Sequence, residues 1–250
     1  MLRAILSRDR ENRPTLAAEE IHHLLRVRRL RPNEEFLALS LEEQTWFRCR
    51  LEGETTPPTI TVIEPLPSQT ESNLSITLGQ ALIQRDRFEW VIQKSVELGV
   101  SRIIPVRLQR SEFRLHPDKS ERARTRWEKI AREALKQCGR CRLPEITAPM
   151  RLESYLKSAQ AGLRLYLDEK GGASLHSILS AHSEAVGSSV LIGPEGGWEV
   201  GERRILREAG VQAAYLGNRI LRSETAAIAM IALLQYELGD LGGGSEQRQV

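Results

Sequence analysis

The spacing of hydrophobic and polar positions changes about 70 residues along the chain. Before that point, short apolar runs rich in β-branched and aromatic residues lie between polar turns. These runs predict strands at Leu2–Leu6, Phe36–Leu39, Thr45–Leu51 and Thr59–Ile63. A helix is expected from about Ala17 to Arg28, with Thr15 as its capping residue. So many short strands in so little chain predict a small β-barrel.

Residues 65–73 are polar and turn-rich and predict a linker, after which strands and helices alternate. We predict strands at Leu74–Ala81, Arg102–Val106, Arg164–Leu167, Ser189–Ile192 and Gln212–Leu216. We predict helices at Arg87–Leu98, Lys119–Gln137, Val200–Ala209 and Glu224–Leu238. This alternation is typical of an α/β domain with a mainly parallel sheet. The predicted domains are therefore 1–70 and 74–240, with a flexible tail at 241–250.

Composition excludes several classes of protein. The chain has 250 residues, of which 40% are hydrophobic and 28% charged, enough for a packed core and a hydrated surface. No apolar run reaches membrane-spanning length, and the first residues lack the apolar centre of a signal peptide, so we expect a cytoplasmic protein. Because the chain has only three cysteines, we expect no disulfide framework. Cys138 and Cys141 form a C-x-x-C without a second pair, so we expect no metal and Cys138 packed on a helix face.

Charge is distributed unevenly, although the net charge is only +3. Residues 85–151 contain 17 basic and nine acidic side chains, and residues 1–31 contain eight and four. Such basic regions are typical of proteins that bind polyanions, because lysine and arginine release counterions from phosphates. Solvated helix faces would give the same pattern, and charge alone does not decide between the two.

Two glycine-containing segments directly follow predicted buried strands. The first is Leu191–Trp198, in which Gly193–Gly197 has three glycines and a proline in five positions. It matches neither the phosphate-loop nor the dinucleotide fingerprint. A plain turn needs only one glycine, and open α/β sheets bind ligands at the carboxyl ends of their strands, so we favour a ligand-binding loop.

The second segment is Tyr215–Ala227, in which the chain leaves the sheet after Leu216 and Gly217, and Ser223 is expected to cap the last helix. Arg219 and Arg222 would be ordinary surface residues if the segment were only a turn, and Glu224 would only complement the helix dipole. Because both arginines follow a glycine turn at a strand end, we favour a role beside a bound ligand.

These segments resemble the RsmE family of SPOUT (α/β-knot) methyltransferases. The resemblance rests on Ile192–Gly197 (IGPEGG), Leu216–Ala226 (LGNRILRSETA) and Glu89–Val100 (EWVIQKSVELGV). His22–Leu30 is similar to the PUA-like domain of that family, so the resemblance covers nearly the whole chain. Asn218, Trp198 and Ser223 stand where that family usually has proline, phenylalanine and threonine.

The resemblance implies a C-terminal trefoil-knot domain with a parallel sheet, preceded by a small PUA-like β-barrel. It also implies a homodimer that binds S-adenosylmethionine in a bent conformation and methylates N3 of a uridine in 16S ribosomal RNA, alone or in the small subunit. The implied cofactor residues are Leu167, Ile192, Gly193, Gly196, Gly197, Leu216, Gly217, Ile220, Leu221 and Thr225.

Catalysis would require a group that stabilises negative charge as uridine N3 loses its proton. Arg222 is the candidate, with Glu224 positioning it or helping to remove the proton. Arg26, Arg29, Lys94 and Arg110 are candidates for phosphate contacts.

Three alternatives stay open at this point. They are a non-catalytic RNA-binding knot protein, a SPOUT methyltransferase with another RNA target, and a nicotinamide-dependent oxidoreductase. The last lacks the G-x-G-x-x-G fingerprint and its downstream acidic residue.

Overall fold

A computed structural model describes residues 1–52, 58–67, 70–160 and 162–242. The chain forms two compact units. The first comprises Met1–Glu71 together with Arg132–Leu143, and the second comprises Ser72–Ala131 and the chain from Pro144 onward. The domain limits drawn from the sequence stay a prediction, and most of the expected tail, from 243, lies outside the described residues.

The first unit is built on a five-stranded sheet in the order β2-β1-β3-β4-β5. β1 and β3 are parallel, and the other neighbours are antiparallel. β2 also approaches β5, so the sheet curls into a half-barrel over a core that contains Leu24 and Phe36. The strands are β1 Arg3–Arg8, β2 Pro14–Leu16, β3 Glu35–Ser40, β4 Thr45–Glu52 and β5 Thr59–Leu66.

The helix expected between Ala17 and Arg28 is shorter and partly irregular. Helix α1 spans Ala18–His22 and continues as a π-helical turn at His23–Val27, where the Arg28 amide donates to the His23 carbonyl at 2.9 Å. The cap assigned to Thr15 was wrong. Thr15 pairs with Ser7 in the short strand β2, which the sequence did not predict because it has only three residues.

The second unit contains a parallel sheet in the order β11-β13-β10-β12-β6-β7-β8, with β9 also pairing with β7. Every pairing in this sheet is parallel, so the predicted sheet type is confirmed. The strands are β6 Ser75–Ala81, β7 Arg102–Arg107, β8 Glu145–Ile146, β9 Met150–Arg151, β10 Leu163–Leu167, β11 Ala173–Ser174, β12 Gly187–Ile192 and β13 Gln212–Tyr215.

Helices pack against this sheet and against each other: α7 contacts α2, β6 and β12. The helices are α2 Arg85–Glu97, α3 Ser120–Cys138, α4 Leu152–Ser158, α5 Leu175–Ser180, α6 Val200–Glu208 and α7 Ser223–Glu237, and a 3-10 turn lies at Pro117–Lys119. The sequence missed α4, α5, β8, β9 and β11, because strands of two residues and helices of six or seven show no clear periodicity. Within the described ranges, no helix is long and apolar enough to cross a membrane.

Candidate active site

A cavity of about 600 Å³ lies where strands β10, β12 and β13 end. Its walls come from residues 167–171, 192–198 and 215–221, together with Ser223 and Ala226 from α7. Parallel neighbours place their carboxyl ends at one edge of the sheet, which explains how segments distant in sequence meet. The cavity brings together nine of the ten predicted cofactor residues, namely Leu167, Ile192, Gly193, Gly196, Gly197, Leu216, Gly217, Ile220 and Leu221. The tenth, Thr225, is exposed in the first turn of α7 and does not line it.

The first glycine loop is packed too tightly for larger residues. A Cβ atom at Gly193 would lie 2.9 Å from Trp198 Cε2, and one at Gly196 would lie 3.0 Å from Arg110 Cβ. Gly197 has φ +69°, a conformation that favours glycine. The three glycines therefore bring backbone, and not side chains, to the cavity wall.

Trp198 anchors this loop to β10. Its indole Nε1 donates to the Leu167 carbonyl at 2.7 Å, and its ring meets Tyr166 edge-on with centroids 5.5 Å apart. The side chain is buried, with 1% of its surface exposed. One tryptophan thus joins two walls of the cavity. The sequence analysis had noted only that the family usually has phenylalanine at this position.

Arg203 of α6 holds the residues that follow β10. Its guanidinium donates to both carboxylate oxygens of Asp168, at 2.7 and 2.9 Å, to Glu169 at 2.9 Å, and to the Trp198 carbonyl. Burial of Asp168 disfavours its charged form, but the bonds from Arg203 and the Lys170 amide outweigh burial and hold the pKa of Asp168 below its ordinary value. No local sequence pattern predicts this pair.

The second glycine segment forms the opposite wall. Gly217 has φ +84°, and a Cβ atom there would meet no other atom within 4 Å, so conformation and not space requires glycine. Ile220 is 86% exposed although it lines the cavity. An apolar side chain left in water at the mouth of a cavity is available for a ligand or a partner.

The start of α7 carries the predicted catalytic pair. Arg222 is exposed, and no described residue accepts a hydrogen bond or forms an ion pair with its guanidinium. Glu224 Oε1 lies 3.7 Å from Arg87 Nε, while its Oε2 is buried without a partner among the described residues. Arg87, which the sequence analysis did not single out, also binds Glu195 of the first glycine loop.

Ser223 does not cap α7 as predicted. The helix begins at Ser223 itself, Arg222 occupies the capping position without a side-chain bond, and the Ser223 hydroxyl donates to the Gly193 carbonyl at 2.6 Å. The hydroxyl forms a tertiary contact and not a helix cap, because the first glycine loop lies within hydrogen-bonding distance.

The four residues predicted to contact phosphates lie in different settings. Arg26 and Arg29 are exposed in the first unit. In the second unit, Lys94 pairs with Glu97 at 2.8 Å, and Arg110 pairs with Glu199 at 2.6 Å while donating to the Gly196 carbonyl at 3.2 Å. Arg110 therefore braces the first glycine loop, whatever else it binds. No group of side chains suited to a metal ion occurs within the described ranges.

Comparison with known proteins identifies the class. Residues 70–235 match the family described as RNA methyltransferase domain, and residues 16–64 match the RNA methyltransferase PUA domain. A protein from Bacillus subtilis named ribosomal RNA small subunit methyltransferase E is 31% identical over 243 residues, covering 93% of this chain and 94% of the relative.

Solved structures agree. A ribosomal RNA small subunit methyltransferase E from Neisseria gonorrhoeae, bound to S-adenosyl methionine, is 31% identical with a TM-score of 0.84 over 96% of this chain and 99% of the other. A protein from Legionella pneumophila, described as a methyltransferase with bound cofactor SAM, is 29% identical with a TM-score of 0.86 over 96% and 99%.

The chain belongs to the RNA methyltransferase family, and its predicted place among the ribosomal RNA small subunit methyltransferase E proteins is confirmed. The predicted fold class is confirmed as well: a SPOUT α/β-knot domain with a parallel sheet follows an N-terminal PUA-like domain.

Proposed function

We propose that this protein uses S-adenosylmethionine to methylate N3 of a uridine in 16S ribosomal RNA of the small subunit. The observation that carries the proposal is the cavity in which the two glycine segments meet. Its supporting context is the family, in which relatives of similar length are named for small-subunit RNA and are solved with the same methyl donor. A ribosomal substrate also supports the expected cytoplasmic location.

The cavity fits a molecule of this kind. A volume of about 600 Å³ lies within the range of small-molecule sites, and the close-packed glycines provide backbone hydrogen-bonding groups beside apolar side chains. We assign the backbone of Leu216, Gly217 and Leu221 to the adenine, with Leu167, Ile192 and Ile220 packing on the donor. Gly193, Gly196 and Gly197 complete the proposed set, and Thr225, which does not line the cavity, is left out of it.

The donor supplies a methyl group on a sulfonium, which is already a good leaving group, so the protein must align the reactants and manage one proton. Loss of the N3 proton places negative charge on the uridine oxygens. Arg222 follows the cavity wall directly, and its guanidinium has no partner among the residues that the structure describes, so it is available to stabilise that charge. Glu224 Oε2, which has no partner within the described ranges, is proposed as an acceptor for the N3 proton or as a positioning contact for Arg222.

RNA capture is assigned to basic side chains. Arg26 and Arg29 are exposed and can contact phosphates directly. Lys94 and Arg110 are each paired with a glutamate, so a phosphate would have to share or replace that partner. We therefore expect Arg26 and Arg29 to dominate the salt dependence of binding.

A homodimer is the proposed assembly. Helix α7 is apolar on nearly all sides, yet Leu233 and Tyr236 are 39% and 61% exposed. A helix that is hydrophobic all round is normally buried, so its exposed apolar side chains favour a second copy as their cover. In this proposal the two copies together complete the active site.

Deleting the gene and mapping N3-methyluridine in 16S RNA tests the proposal. Methylation at N3 blocks Watson–Crick pairing and stops reverse transcription, so one stop should disappear in the deletion strain and return with the wild-type gene. Arg222→Ala should not restore it, although the purified variant should still bind the donor in calorimetry. The matched variant Arg204→Ala, an exposed arginine of α6, should restore the stop. An unchanged set of stops in the deletion strain would refute the proposed target.

A further inference from the structure

A chain of two hydrogen bonds leads from the buried side chain of Gln80 in the sheet to the first glycine loop. Gln80, near the end of β6 and fully buried, donates through Nε2 to Ser223 Oγ at 2.9 Å. The Ser223 hydroxyl then donates to the Gly193 carbonyl at 2.6 Å. These three residues, which we call the Gln80 relay, join β6, α7 and the loop after β12 over 143 and 30 residues of sequence.

The direction of the relay is fixed by its surroundings. Gln80 Nε2 also donates to the Ala81 carbonyl at 3.2 Å, and a carbonyl can only accept. The amide nitrogen must therefore face Ala81 and Ser223. Ser223 Oγ accepts from the amide, and its one proton is left for Gly193.

The relay controls a peptide that has no other hydrogen-bonding group. The unit between Gly193 and Pro194 contains the Gly193 carbonyl but no N–H, because the nitrogen belongs to proline. Trp198 restricts Gly193 from another side, since a Cβ there would lie 2.9 Å from Cε2. The Ser223 hydroxyl therefore sets the orientation of the plane at which the glycine loop begins.

The buried Gln80 side chain costs free energy that an apolar side chain would not. Gln80 Oε1 is buried and has no partner among the described residues, a state that costs free energy in a protein interior. An apolar side chain at this position would avoid that cost. The presence of a glutamine here is explained if the hydrogen bond that its Nε2 donates to Ser223 has a functional role.

We propose that Gln80 and Ser223 are positioning residues for methyl-donor binding, which hold the Gly193–Gly197 loop in its donor-binding conformation before the donor arrives. The inference rests on the proposed function for the identity of the donor. Gln80 does not line the cavity, and in this proposal its side chain acts through the hydrogen bonds to Ser223 and Gly193.

The chain contains a matched control. Gln235 of α7 is also fully buried, accepts a hydrogen bond from Ser72 Oγ at 2.8 Å and donates to the Leu98 carbonyl at 3.0 Å. Neither Ser72 nor Gln235 lines the cavity. Ser72→Ala and Gln235→Met thus remove the same chemistry from the same unit without touching the glycine loop.

Calorimetry with S-adenosylmethionine measures the effect on affinity. Ser223→Ala should weaken binding about tenfold, the usual weight of one hydrogen bond, and Gln80→Met about threefold. The double variant should bind like Ser223→Ala, because Gln80 acts only through the hydroxyl. Ser223→Thr, which keeps the hydroxyl, should retain wild-type affinity. In turnover assays KM for the donor should rise, with kcat at saturating donor changed by less than about twofold.

Hydrogen exchange of the donor-free protein tests the relay without relying on the donor. Peptides covering 193–198 should exchange about tenfold faster in Ser223→Ala, and faster also in Gln80→Met, while Ser72→Ala and Gln235→Met leave them unchanged. Losses of affinity and protection no greater than in the control pair, or additive losses in the double variant, would overturn the relay. Wild-type protein that fails to bind the donor would instead refute the proposed function, and the exchange result would still decide the relay.

Discussion

Gly217 and Gly210 share a left-handed backbone, with φ of +84° and +72°, but only Gly217 borders the cavity. Both have open space where a Cβ atom would lie. Comparing substitutions at these two glycines therefore distinguishes the effect of backbone strain from the effect of altering the cavity wall. Gly210 follows α6 and serves to end that helix.

Alanine at either glycine should lower stability by a similar amount, about 1 kcal/mol, because each forces an alanine into the left-handed region. Only Gly217→Ala should also weaken donor binding, by several-fold. Chemical denaturation gives the stabilities, and calorimetry gives the affinities. Equal donor affinities for the two variants would remove Gly217 from the proposed site.

Sequence reasoning located most of the cavity wall because glycine clusters and strand ends are local signals. It did not find Trp198 as an anchor, Arg203 as a brace, or Gln80 as a buried partner of Ser223. Each of these contacts joins residues at least 31 positions apart, and no local pattern specifies such a partner. The same reason explains the wrong prediction that Ser223 caps α7. Serine is a common capping residue, but here the hydroxyl lies beside the Gly193 carbonyl and bonds to it.

At the scale of elements, α6 is joined to the end of β10 by the ion pair between partly buried Arg203 and buried Asp168. This pair fixes the wall that carries residues 167–171. The pKa of Asp168 lies below its ordinary value of 3.8, so the charged carboxylate is favoured in the folded state. Its contribution to stability is complete above that value and is lost as the pH falls through the lower folded-state pKa.

Asp168→Asn should therefore destabilise the protein by about 2 kcal/mol at pH 7, the weight of a hydrogen bond to a charged group. The difference from wild type should stay constant down to about pH 4 and shrink at lower pH. Urea denaturation between pH 3 and pH 7 measures it, with Asp240→Asn, an exposed site, as control. A difference that grows on acidification would contradict the ion pair.

Long elements with clear periodicity were predicted well, and short ones were not. α7 begins and ends within one residue of its predicted limits, and β12 within two. The region between β7 and β12 was harder, because α4, α5 and three two-residue strands lie there. Their conformation depends on the neighbouring strand and helix, not on a repeating pattern of their own.

At the scale of the whole molecule, the sequence suggested two domains from a change of rhythm near residue 70. The first compact unit of the structure contains Met1–Glu71 and also Arg132–Leu143, so it is not one continuous stretch of chain. Helix α3 runs from Ser120 to Cys138 and passes the border at Arg132 without a break in its pattern. A linear reading of apolar spacing cannot detect a border inside a continuous helix.

The proposed homodimer gives a prediction at this scale. Leu233→Glu should convert the protein to a monomer and abolish methyl transfer, because a charge would replace an apolar side chain on the covered face of α7. Light scattering after size exclusion measures the mass. Val200→Glu changes a valine that is 77% exposed at the start of α6 and should leave the mass unchanged. A wild-type monomer at micromolar concentration would contradict the dimer.

The central claim is that Gly193–Gly197 and Leu216–Leu221 form one cavity that holds the methyl donor. A crystal structure of the protein grown with saturating S-adenosylmethionine tests it most directly. We predict density for the donor between these two segments, with the adenine against the backbone of Leu216 to Leu221. A donor bound elsewhere, or this cavity without density at saturating donor, would contradict the account.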